Sequence, residues 1–183
     1  MVEYRSSSRR DSYGSQINRA HSPLVAQVLP WASIVLASMT PLLPVIASMP
    51  LFPPMGFMLL LAWRLVRPGL LPVWAGFPLG LVDDLFSGQP FGSAILLWSL
   101  MLIALDFIET RFPWHGFAQD WLVASAVTAI YILISALFAG SHVAEWLTIL
   151  APQLLLSILL YPMFGRMVAF LDRFRLRRFR TLG

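Results

Sequence analysis

Cysteine is absent from this 183-residue chain, which removes disulfides, thiol nucleophiles and thiolate-held metal or iron–sulfur centres together. Lysine is absent too, since all 13 basic residues are arginine. Charge of either sign is scarce: 12% of residues are charged and 58% hydrophobic, where a soluble domain carries roughly 25% and 45–50%. With a mean hydropathy of +0.73, a water-soluble globule is excluded. The few charges are also segregated, because residues 1–27 and 172–183 hold 12 of the 22 and the 144 residues between them hold the other 10. That middle stretch has the composition of a lipid-embedded bundle. At about 20 apolar residues per crossing it allows at most about six or seven spans, with no room for a separate soluble domain.

The net charge of +4 belongs to the ends of the chain and is read through topology, so no nucleic-acid partner is expected. Some 23 polar residues precede the first apolar run, an arrangement unlike a cleavable signal peptide. The leader, residues 1–27, carries Arg5, Arg9, Arg10 and Arg19 among Ser, Gly and Asn and is expected to be a disordered cytoplasmic segment.

Apolar runs between charges and Pro/Gly breaks give six segments in residues 28–171, near 28–49, 52–66, 70–87, 91–108, 119–139 and 143–170. The expected fold is an all-α integral membrane protein, a six-span helical bundle with both termini inside. The second segment opens with Phe52, Pro53 and Pro54 and is short enough to be re-entrant. With six crossings, all 13 arginines fall on the cytoplasmic side, in the leader, the Arg64 to Arg67 loop, the loop carrying Arg111, and the tail. The outer loops near 49–52, 87–91 and 140–142 contain none, as the positive-inside rule requires. Most tryptophans are expected near span ends, with Trp74 and Trp98 somewhat deeper. The basic tail, residues 172–183, interleaves Phe174, Leu176 and Phe179 with Arg173, Arg175, Arg177, Arg178 and Arg180. It is expected either to lie on anionic lipid or simply to hold the end of the chain inside.

Polar residues inside the spans are few. The third segment holds the adjacent pair Asp83 and Asp84, each costly in lipid. Adjacent helical residues point about 100° apart, so one is expected to face the bundle and the other to reach toward the outer interface. Gly76, Gly80, Asp84 and Gly88 recur every fourth residue, and this small-residue stripe selects Asp84 as the inward acid, with Gly76 and Gly80 as a close-packing G-x-x-x-G. Ser125, Thr128, Tyr131 and Ser135 form a stripe on the fifth segment, and Gln153, Ser157, Tyr161 and Gly165 on the sixth. Ser125, Thr128, Tyr131, Gln153, Ser157 and Tyr161 either line a polar cavity or bind helices together. No catalytic constellation is recognisable, and no cofactor or metal is expected. His142 and Glu145, which could join the acids in a hard-metal site, are read as solvated loop ends.

The stretch Phe52 to Leu100 contains Pro54 opening a short span, a Gly-containing third span, and Asp84-Leu85-Phe86-Ser87-Gly88 followed by Gly92 and Ser93. In these features it resembles the rod shape-determining MreD family. Asp83 is an extra carboxylate where the resemblance leads one to expect an apolar residue. The resemblance implies a non-enzymatic inner-membrane scaffold of the cell-elongation complex that supports lateral peptidoglycan synthesis. Its implied partners are MreC first, then MreB, RodA and a penicillin-binding transpeptidase. Together with the small-residue stripe and the adjacent acid, it leads to Gly76, Gly80, Asp83, Asp84, Ser87, Gly88 and Gly92 as expected packing or partner-binding positions. Family members are similar in fold to the substrate-binding subunits of energy-coupling-factor vitamin transporters, so a small-molecule-binding membrane subunit is the second expectation.

Overall fold

Proline and glycine cut the chain where the apolar runs end, and helices form between the cuts. The computed structural model describes residues 23–43, 52–111, 116–140 and 146–175. Six α-helices follow in order: α1 Pro23–Ser38, α2 Met55–Val66, α3 Gly76–Phe86, α4 Ser93–Arg111, α5 Phe117–Phe138 and α6 Ala151–Arg175. Tight turns at Thr40–Leu42 and Val73–Ala75 and a wide π-turn at Trp146–Leu150 connect them. There is no strand among the described residues.

Three helical stretches, Ser93–Arg111, Phe117–Phe138 and Thr148–Arg175, are long and apolar enough to cross a membrane. The other helices are shorter, with 16 residues in α1, 12 in α2 and 11 in α3. At 1.5 Å per residue, α2 and α3 each rise only about 17 Å against a hydrocarbon core of about 30 Å. Packing explains how so short a helix as α2 is accommodated. Gly56 through Leu65 are all buried, and α1, α5 and α6 pack around the helix, so protein surrounds it along its length. The outer helices invert the soluble pattern. Leu96, Leu100, Ile103 and Phe107 form one exposed stripe on α4, and Leu155, Leu159, Met163 and Phe170 another on α6.

Helices α3 and α4 form an antiparallel pair at very close approach, set by two glycines. A Cβ at Gly76 would lie 2.7 Å from the Ser99 amide nitrogen, and one at Gly80 2.7 Å from the Ala94 carbonyl oxygen. Gly88 departs from the expected stripe. Helix α3 ends at Phe86, so a four-residue period has no meaning at position 88. Gly88 has φ +68° with nothing within 4 Å of a Cβ, and Gly92 likewise has φ +94° in open space. Both are glycine because the turn needs a left-handed backbone, not because a helix packs on them.

One further expectation is corrected. Arg64 is not a loop residue: it lies in the last turn of α2 and is only 3% exposed. The tryptophans divide by burial. Trp63 and Trp98 are fully buried, Trp63 because its Nε1 finds a partner at Ser33 Oγ, 3.0 Å away. Trp74 is 65% exposed and packs tilted against Trp31, with ring centroids 5.5 Å apart.

Candidate functional site

The last turn of α3 presents its two carboxylates to different surroundings, and both are buried. Asp84 points at the start of α4. Its Oδ1 accepts from Ala94 N at 2.8 Å, and its Oδ2 from Gly92 N at 2.9 Å and Ile95 N at 3.2 Å. Ser93 Oγ adds a long contact of 3.4 Å to Oδ1. The first amides of any helix have no intrahelical acceptor, and the helix dipole favours an anion there. Asp84 therefore caps α4 from the preceding helix. The turn with left-handed Gly88 and Gly92 brings the chain back onto it.

Asp83, 8% exposed, faces instead a cavity of about 240 Å³. This space is bounded by the end of α1 at Ser38, the start of α2 at Gly56, Tyr131 on α5, Gln153 on α6, and Ser87 and Gln89 after α3. Gly56 makes the room: a Cβ there would collide with Ser38 Oγ and sit 3.1 Å from Asp83 Oδ1. An adjoining space of about 340 Å³ shares Ser87, Gln89, Tyr131 and Gln153 and extends to Ser135. Tyr131 is held by stacking on Phe57 at a centroid distance of 4.0 Å. Gln153 is fixed by its Nε2, which donates to Phe52 O at 3.0 Å and keeps the Pro53–Pro54 entry to α2 in place. The Ser38 hydroxyl lies within reach of Asp83, yet neither it nor Ser87 Oγ completes a hydrogen bond of normal geometry.

The opposite end of the bundle is rich in ion pairs. Arg64 Nη2 contacts Asp106 Oδ1 at 2.6 Å and Glu109 Oε2 at 2.8 Å, while Nη1 donates to Leu71 O at 3.2 Å. Arg67 and Arg175 both meet Asp172, at 2.8 and 3.0 Å, and Arg175 lies 5.9 Å over the Trp63 ring.

No family model, curated protein or solved structure matches this chain.

The geometry of the site divides the residues expected to form one polar stripe. Tyr131 and Gln153 line the cavity. Ser125 Oγ and Ser157 Oγ instead donate back to the Trp121 and Gln153 carbonyls, each at 2.7 Å, and Thr128 is buried between helices. Tyr161 borders a separate hollow at the far end with Asp120 and Arg166. Asp83 does not reach toward an interface; it is buried, and it is the acid that faces the cavity. Among the tail arginines, Arg173 is exposed but Arg175 is committed to Asp172 and Trp63, because α6 continues through Arg175. Arg177, Arg178 and Arg180 lie outside the described residues, as do His142 and Glu145. Among the described residues there is no group of three His, Asp or Glu able to hold a metal.

Sequence reasoning missed Ser38, Gly56 and Gln89 at the cavity, and it missed the Arg64 partners. Gly56 had a local signal, a lone glycine shortly after a Pro–Pro helix entry. Ser38 and Gln89 had none, since each is an ordinary loop-end polar residue until the helices assemble. Chemically, the cavity offers one carboxylate, the hydroxyls of Ser38, Thr40, Ser87 and Tyr131, and the amides of Gln89 and Gln153, a set rich in hydrogen-bond acceptors.

Proposed function

We propose that this chain is a six-span scaffold of the bacterial inner membrane that supports cell elongation and lateral wall synthesis by holding MreC, as MreD-type proteins do. The observation that carries the reading is the Asp84–Ser93 unit. Four of the residues on which the MreD resemblance rests in this run serve a definite geometric purpose. Asp84 caps α4, Gly88 and Gly92 supply the left-handed turn, and Ser93 opens α4. A resemblance of composition alone would leave such residues without roles.

On this reading α1, α2 and α3 cross the membrane together with the three long helices, and the arginine-rich end faces the cytoplasm. The exposed Arg173, with Arg177, Arg178 and Arg180 on the same reading, meets anionic lipid there. The chain performs no chemistry of its own; it presents apolar helix faces to the single span of its partner, while MreB, RodA and the transpeptidase join through the wider complex.

Affinity purification of the tagged chain from mildly solubilised membranes tests this. Recovery of MreC and wall-synthesis enzymes is the expected result; recovery of an energy-coupling ATPase module in their place overturns it. Cysteines introduced at Gln89 and Arg177 should label from outside and inside respectively, and outside labelling at 177 would eliminate the six-span topology.

A further inference from the structure

The cavity beside Asp83 contains an unanswered charge. The carboxylate is buried, and among the described residues the one side-chain donor within reach of it is the Ser38 hydroxyl, little for a buried charge unless a counter-charge or further donors arrive. The described arginines cannot serve, because those in ion pairs gather at the far end of the bundle and the chain contains no lysine. The other polar side chains around the space, Ser38, Thr40, Ser87, Gln89, Tyr131 and Gln153, come from different elements, and most of their polar atoms are oxygens. Ser38 Oγ comes from α1 and Ser87 Oγ from the end of α3, both without a complete hydrogen bond. On α6, the Gln153 amide nitrogen is already spent on Phe52 O, leaving its oxygen as the acceptor.

We infer that this cavity binds a primary ammonium group, with Asp83 as its counter-ion and Ser38, Ser87 and Gln153 as acceptors for its N–H bonds. An ammonium is a compact point charge with three donors, suited to separate oxygens converging from different directions. A guanidinium is planar and favours a single carboxylate met by two parallel bonds, whereas the acceptors here are contributed singly by separate elements. A quaternary ammonium has no N–H to donate. At about 240 Å³ the space lies just below the range of about 300–1,000 Å³ for drug-sized ligands, which suits a small amine or the aminoethyl headgroup of a phospholipid. This site is independent of the scaffold role.

The test uses the full chain purified in detergent. Thermal stability is followed against ethanolamine and, as the neutral control, N-acetylethanolamine; in parallel, lipid retention is measured by native mass spectrometry from nanodiscs containing phosphatidylethanolamine or phosphatidylcholine. Saturable stabilisation by ethanolamine alone identifies a soluble amine, and selective retention of phosphatidylethanolamine identifies the headgroup. Either result supports the site, provided that Asp83→Asn weakens binding at least about tenfold, the effect of about 1.4 kcal/mol. Should that variant fail to fold, Ser87→Leu fills the rim and must abolish binding. The inference is overturned by equal responses to the amine and its acetylated control with no lipid preference, by no response to any probe, which would leave a cavity holding water only, or by binding unchanged in both variants.

Discussion

The two ends of the bundle bury charge in opposite ways. At the arginine end, Arg64 is met by two carboxylates and a carbonyl, and Asp172 by two arginines. At the carboxylate end, Asp84 is met mainly by backbone amides, and Asp83 by an open space. The contrast separates charges that hold the structure together from a charge the structure merely tolerates. Breaking a buried pair strands its partner, whereas removing an unpaired buried charge relieves a penalty.

The sharpest way to break the comparison is Arg64→Ala. It removes the guanidinium that Asp106, Glu109 and the Leu71 carbonyl share, and since Asp106 is 51% exposed the low end of the usual cost applies, about 3 kcal/mol. The expected readout is a large fall in folded yield and in the melting midpoint of the detergent-purified protein. Gly80→Leu comes next. Its side chain must displace the Ala94 carbonyl from 2.7 Å, an overpacking cost of about 1–3 kcal/mol, visible as a lower midpoint and as weakened protection of α3 and α4 amides in hydrogen exchange.

Asp84→Ala and Asp83→Ala together sharpen the contrast between neighbouring acids. The first removes the cap of α4 and should cost about 1–2 kcal/mol. The second should be neutral or stabilising in the same melting assay, and equal losses from the two would remove the distinction drawn between them. The smallest effect is expected at Gly88→Ala, where φ +68° strains an L residue by about 1 kcal/mol although the space around it is empty; a small downward shift of the midpoint would register it.

Helix order and the breaks between helices were legible because apolar runs and Pro/Gly punctuation are local signals: the short second segment, for example, is bounded by Pro53–Pro54 and by Pro68–Gly69. The G-x-x-x-G contact was legible for the same reason, since Gly76 and Gly80 lie one turn apart on one helix. What could not be read was pairing over distance. Arg64 meets residues 42 and 45 positions away, so it looked like a loop charge. Trp63 looked like an interfacial anchor because Ser33 and Arg175 are far from it in sequence. The stripe through Gly88 was extrapolated past the end of α3, where helical periodicity stops applying. Asp83 and Asp84 were correctly expected to diverge, but which direction led into a cavity depended on α1, α5 and α6, which close the space from outside the motif.

The enclosure of α2 also bears on how the protein is made. This helix leaves the ribosome second, yet α5 and α6, which complete its surroundings, emerge last. Arg64 meets Asp106 only when 42 more residues have been synthesised, a delay of about 2–8 s at roughly 5–20 residues per second. During that interval a short helix ending in an unpaired guanidinium is a poor candidate for release into lipid. Its surroundings stay incomplete until the later helices arrive, so the burial of this early helix is among the last steps in assembling the described bundle.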